Sequence, residues 1–177
     1  MPAFSGTYRI FIGLALIALL LSAASCADKN HFGVIAAQKH GLTDYETGDL
    51  SKDWRNHRIS DADHVYINKL DGCSIMVNST CGIEKRISPV ALTNHLLIDM
   101  THREIVSQEE VIIDGRTGLR TEIKARLDGA PVQMCIYIVQ IDYCIYDMAY
   151  AAHPDYYLIH LVEFEEFLTD FHVRRDY

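Results

Sequence analysis

From Leu119 to Leu127 the chain alternates strictly: Leu119, Thr121, Ile123, Ala125 and Leu127 interleave with Arg120, Glu122, Lys124 and Arg126. A period of two places alternate side chains on opposite faces, which predicts a strand with one buried face and one wetted face. The next apolar run, Val132–Val139 (VQMCIYIV), is broken only by Gln133 and predicts a central strand covered on both sides. Three Asp-Gly dipeptides, Asp71-Gly72, Asp114-Gly115 and Asp128-Gly129, separate extended runs and mark tight hairpins. The first joins His64–Leu70 to Cys73–Asn78, the second Glu104–Ile113 to Arg116–Leu127, and the third returns the chain through Val132–Val139. A further turn near Ile141-Asp142 leads into Tyr143–Tyr150. Tight hairpins make these strands antiparallel.

Two stretches change period to that of a helix. Ser88-Pro89 supplies an N-cap and a first-turn proline, and Leu92, Leu96, Leu97 and Met100 follow as an apolar stripe ending near His102. After Pro154, the residues Tyr157, Leu161, Phe164, Leu168 and Phe171 share one face. Glu163, Glu165, Glu166 and Asp170 lie elsewhere on that helix, and Arg174 and Arg175 stand at its end, where cations complement the dipole. The fold class that follows is α+β: an antiparallel β-sheet with helices packed on it.

The amino terminus has another character. Arg9 precedes an unbroken apolar run, Ile10–Leu21, and the small residues Ser22-Ala23-Ala24-Ser25 follow. This is the order of a secretory signal, and the run falls short of the ~18–20 apolar residues of a retained anchor. Ala23-Ala24-Ser25-Cys26 resembles the lipobox of bacterial lipoproteins, with Ala23 where leucine is usual, and implies lipidation at Cys26. Cleavage after Ala24 or Ser25 without acylation, and an uncleaved anchor, are the alternatives. The expected organisation is a signal peptide over 1–25, a lipid-anchored tether over 26–53 and one α+β domain over 54–177. A short helix fits Phe32–Lys39 within the tether.

Charge removes some functions from consideration. The formal net charge is −8, and Arg9 is the leader's only charged side chain, so the exported part is more acidic still. Nucleic acid is not an expected partner, because phosphate neutralisation needs clustered Lys and Arg.

Candidate chemistry is sparse. His57, Asp61, Asp63 and His64 have metal-ligating side chains close in sequence, but the segment also reads as a polar turn before a strand. His95 and His102, like His153 and His160, read as surface residues. The sequence carries no nucleophile elbow, phosphate loop or His-Glu-x-x-His. Cys144 and Asp147 are at most half of a Cys/His arrangement, and a structural cysteine fits an oxidising compartment better. No catalytic, cofactor-binding or metal-binding residue is therefore assigned, and no cofactor is expected. Tyr137, Tyr143, Tyr146, Tyr150, Tyr156 and Tyr157 suit either an interaction surface or half-buried strands.

The order of elements, carried by Ser74–Cys81, Asn94–Thr101, Val111–Asp128, Cys144–Asp147 and Phe164–Val173, resembles the PsbP-like (DcrB-like) α/β/α sandwich of bacterial envelope lipoproteins, over roughly residues 60–175. The resemblance implies a non-enzymatic binding or assembly-accessory protein of the cell envelope, held at the membrane by its lipid and facing an envelope protein. In a Gram-negative cell the Ala27 after Cys26 implies the periplasmic face of the outer membrane. A periplasmic carrier of a small ligand or metal, and a hydrolase with a dispersed site, are the alternatives. Four cysteines remain for the oxidising compartment. Cys73 and Cys81 flank one strand, beyond the ~7 Å Cα reach of a disulfide. A turn at Ile141-Asp142 sets Cys144 opposite Val139 and Cys135 opposite Met148, out of register with each other. A bridge between the two halves of the chain is left, and the PsbP-like strand order implies Cys81–Cys144, with Cys73 and Cys135 reduced or buried.

Overall fold

The extended apolar runs pair as β-strands, and two amphipathic helices cover the resulting sheet. The computed structural model describes residues 45–59 and 62–174, all within one compact unit. The leader, Cys26, the 32–39 segment, Asp61 and Arg175 lie outside the described residues. In chain order the elements are β1 (Tyr45–Glu46), β2 (Trp54–His57), β3 (His64–Asn68), β4 (Ser74–Cys81), α1 (Pro89–Leu96) and β5 (Thr101–Ile113). They continue with β6 (Arg116–Leu127), β7 (Ala130–Ile141), β8 (Cys144–Ala152), α2 (Tyr157–Thr169) and β9 (His172–Val173). Seven strands form one sheet in the order β2-β3-β4-β8-β7-β6-β5, with every neighbouring pair antiparallel. The small strands β1 and β9 pair with each other. Among the described residues no helix is long and apolar enough to cross a membrane.

The sheet is covered on both faces. Ile123, Ile136, Ile138, Ile145 and Ala149 meet Leu97, Leu92, Leu96 and Met100 from the α1 side. Cys135, Val139, Tyr146, Met148 and Tyr150 meet Tyr157, Phe164, Phe167 and Phe171 from the α2 side. The central pair β7–β8 is buried on both sides, as the near-continuous apolar run of β7 demands. Gln140 fixes the approach to α1: its side chain accepts from the Ile87 amide at 3.1 Å and donates to the Lys85 carbonyl at 3.1 Å. On β6, a Cβ at Gly118 would stand 2.7 Å from the Ile138 carbonyl oxygen, so only glycine admits the β7 backbone at that distance.

The turn chemistry sorts the hairpins. Asp114-Gly115 and Asp128-Gly129 both hold positive φ at each residue (45° and 72°, 50° and 82°), the conformation of two-residue primed turns. At Asp71-Gly72 only the glycine is left-handed. Asp71 there accepts from the Cys73 amide at 3.0 Å, and the loop spans Lys69–Cys73. The last hairpin turns at Asp142-Tyr143 and not at Ile141-Asp142, which sets Ile141 opposite Cys144 and Cys135 opposite Tyr150. Asp142 takes the positive φ (54°) that the turn requires.

Three further boundaries differ from expectation. α1 stops at Leu96, because the residues from Thr101 onward are claimed by pairing with β6. α2 stops at Thr169, so Arg174 caps no helix and instead forms an ion pair with Glu46 of β1. Packing also begins ahead of Trp54, since Tyr45 and Leu50 lie against the α2-side core.

Candidate functional site

Charged residues of β6 lie under α2. The outward row that alternation assigns to water contains Arg120 and Glu122, yet on the sheet face that carries α2 their side chains keep only 13% and 17% exposure. Arg120 keeps 13% side-chain exposure. Its Nε donates to the Tyr137 hydroxyl at 3.0 Å and to Glu165 at 3.1 Å, while Nη2 reaches the same Glu165 oxygen at 2.9 Å. Tyr137 in turn donates to Glu165 at 3.2 Å, and its ring lies 5.9 Å from the guanidinium carbon. Glu122 stands 3.8 Å away and accepts from Gln133 at 2.8 Å. Burial works against the charge on Arg120, but its acidic neighbours Cys135, Glu165 and Tyr137 hold the proton on more firmly than usual. Glu165, one turn from Leu161 at the border of the apolar stripe of α2, is the partner that makes this burial tolerable.

A groove of about 720 Å³ opens above this cluster. Its walls are the carboxy-terminal halves of β5 and α2, with Val111, Ile113, Leu168 and Phe171 among the apolar lining. Its charged lining is Glu109, Asp114 and Glu165 against Arg120: three carboxylates to one guanidinium. The volume lies in the range of small-molecule sites.

A second polar cluster braces the other end of α2. His160 Nε2 lies 2.9 Å from Asp71 and its Nδ1 3.4 Å from Glu163, with only 14% of the side chain exposed. Glu163 accepts from the Ser51 amide at 2.9 Å, and the Trp54 ring meets His160 edge-on at 5.5 Å. Burial raises the Asp71 and Glu163 carboxyls, but donors outweigh it and hold both below the usual carboxylate range. The donors are Cys73 and His160 for Asp71, and Trp54, Ser51 and His160 for Glu163. His160 is thus a strut between helix and loop, and not the surface residue that spacing suggests.

The remaining candidates scatter. His57 and His64 lie on β2 and β3, where His64 stacks on Tyr66, and Asp63 accepts from Ser79. Among the described residues no group of three or more His, Cys, Asp or Glu side chains converges to hold a metal. His95 and His102 are exposed. Cys81 and Cys144 are joined by a disulfide across β4–β8, where they face each other with Cα atoms 4.0 Å apart. Cys73 and Cys135 are buried free thiols, and burial pushes both up to about 12, far from a reactive thiolate. Asp147 is buried on β8, so it is remote from any use by an exposed nucleophile. Tyr146, Tyr150 and Tyr157 are core residues, Tyr137 lines the groove, and only Tyr143 and Tyr156 of that group are exposed. The tyrosine-rich carboxy-terminal third is therefore mostly interior.

No family model and no curated protein matches the chain. Solved structures do. Cyanobacterial PsbP (CyanoP) from Synechocystis superposes with a TM-score of 0.51 at 12% identity, covering 77% of this chain and 96% of that one. The fold is PsbP-like. LpqN of Mycobacterium tuberculosis, described as involved in cell envelope biogenesis, gives a TM-score of 0.56 at 10% identity over 77% of this chain and 88% of its own. A Bacteroides thetaiotaomicron protein gives 0.53 at 11% identity over 75% of this chain and 46% of its own. At such identities the likeness is one of architecture, and in this PsbP-like domain the Arg120 groove must be argued from its own side chains.

Proposed function

We propose that the chain is an exported, lipid-anchored binding protein of the cell envelope, an accessory without chemistry of its own. The observation that carries this reading is the groove beside α2. Its polar groups converge, yet Arg120, Tyr137 and Glu165 satisfy one another and none is set against a nucleophile. Such an array supports recognition as the role of the groove. The leader and Cys26 supply the export and the anchor in this reading. Expressed in a bacterial envelope, the full chain labels with a fatty-acid analogue and sediments with membranes, whereas Cys26→Ser does neither. Membrane association that survives this substitution after leader removal overturns the anchor.

A small-ligand carrier is the second reading, favoured by the volume of the groove. Native mass spectrometry of protein purified from the envelope separates the two. A small co-purifying mass assigns the groove to a carrier; its absence, with a protein cross-linked to groove residues, assigns it to docking.

A further inference from the structure

Among the described residues β5 is hydrogen-bonded on one side only, by β6, and closes one edge of the seven-stranded sheet. Its register with β6 shifts twice between Thr101 and Ser107, then runs unbroken from Ser107 to Ile113. Exposed edges are usually blunted by bulges, charged side chains or proline. The bulges interrupt only the first half of β5; the second half has no proline, and its charges, Glu109 and Glu110, are both negative, which disfavours another acidic edge and admits a basic one. Ile112 on this stretch is 73% exposed.

The regular half is also the wall of the groove. Glu109 pairs with Arg120 across the β5–β6 register and Val111 with Gly118, so both side chains share the α2 face with Glu165. We propose that this edge accepts an extended segment of a partner protein by strand addition, one in which a Lys or Arg stands two positions from an aliphatic residue, so that both fall on the same face. Backbone pairing to Ser107–Ile113 supplies the attachment, and alternate side chains of the guest enter the groove. A cation there meets Glu109, which is 60% exposed and reaches Arg120 only at 3.5 Å, and the aliphatic residue two positions along meets Val111, Leu168 and Phe171. A second copy of this chain is the poorer occupant, because it brings an edge bearing Glu104, Glu109 and Glu110 against its own like. The inference rests on the binding-protein reading and adds the partner's chemistry.

The test uses the full chain with synthetic peptides: a threonine-rich strand with lysine and valine two positions apart, its counterpart with glutamate in place of lysine, and the lysine peptide N-methylated at alternate amides in each of the two phases. Strand addition uses only one edge of the guest, so one methylated phase binds like the parent and the other loses about tenfold or more. The glutamate peptide binds at least about tenfold more weakly than the lysine peptide, and Glu109→Lys, a change at an exposed position, reverses that preference. Backbone amide shifts map to Ser107–Ile113. Equal binding of both methylated phases, shifts elsewhere, no saturable binding of the lysine peptide, or a dimer formed through β5 would each overturn the inference. If an envelope partner is still captured by the Glu109→Lys chain, the binding-protein reading stands and the edge assignment falls.

Discussion

Asp147 carries an unusual burden for one side chain. It sits on β8 opposite Asn78 of β4, 8% exposed, and burial pushes its carboxyl up to about 6 against a hydrogen bond from Asn78. A carboxyl raised in the folded state stabilises that state while it is protonated, and the benefit disappears as pH rises through the folded value. Stability from Asp147 therefore falls between about pH 4 and pH 6, by on the order of 2–3 kcal/mol. Asp71 and Glu163 act in the opposite sense, since carboxyls held low lose their contribution as pH falls below the ordinary carboxylate range. Asp147→Asn is expected to gain stability at pH 7, on the order of 2 kcal/mol, and to flatten the stability curve between about pH 4 and 6. Urea unfolding across pH checks this; an unchanged slope would mean the carboxyl is ionised in the fold throughout.

At the scale of elements, α2 divides its apolar residues between two environments. Tyr157, Phe164 and Phe167 are buried against β7 and β8, while Leu158, Ile159 and Val162 face outward, Leu158 at 76% exposure. Phe164→Ala or Phe167→Ala is expected to cost about 3–5 kcal/mol, through lost burial and the cavity left behind. Leu158→Ala is expected to stay within about 0.5 kcal/mol. Half-buried Leu161 falls between them. Equal effects at Phe164 and Leu158 in chemical denaturation would show that the helix packs by a different face. β5 is the counterpart among the strands: long, mostly exposed, and regular only where it lines the groove.

Across the whole molecule, the decisive long-range pairing is β4 with β8, which closes a chain excursion through α1 and the β5–β8 meander. Cys81 and Cys144 lie at one end of that pairing, separated by 63 positions in sequence. In the chain-entropy model a bridge over such a loop is worth ~4 kcal/mol, less in practice. Non-reducing peptide mapping of envelope-purified protein is expected to yield a Cys81–Cys144 peptide, with Cys73 and Cys135 as free thiols. A Cys135–Cys144 peptide would contradict the β7–β8 register, in which Ile141 opposes Cys144 and Cys135 opposes Tyr150.

Local chemistry is what the sequence expresses most plainly. The alternation of β6, the apolar run of β7, and the left-handed turns at Asp114-Gly115 and Asp128-Gly129 all follow from interactions between residues near in the chain. They determine an antiparallel sheet and two helices, and the PsbP-like order goes with them. Element ends were less legible: α1 yields to β5 beyond Leu96, and the last turn slips by one residue, because pairing partners and not propensity decide there. The groove was hidden for a related reason. A period of two says that Arg120 and Glu122 share a face opposite Leu119 and Ile123, but not whether a helix lies over that face. The helical period sets Glu165 one turn from Leu161, at the border of the apolar stripe, but does not say that a guanidinium waits beneath it. Only the tertiary docking of α2 on β7 and β8, driven by Tyr157, Phe164 and Phe167, brought Glu165 onto Arg120 and joined polar residues far apart in the chain into one ion-paired cluster.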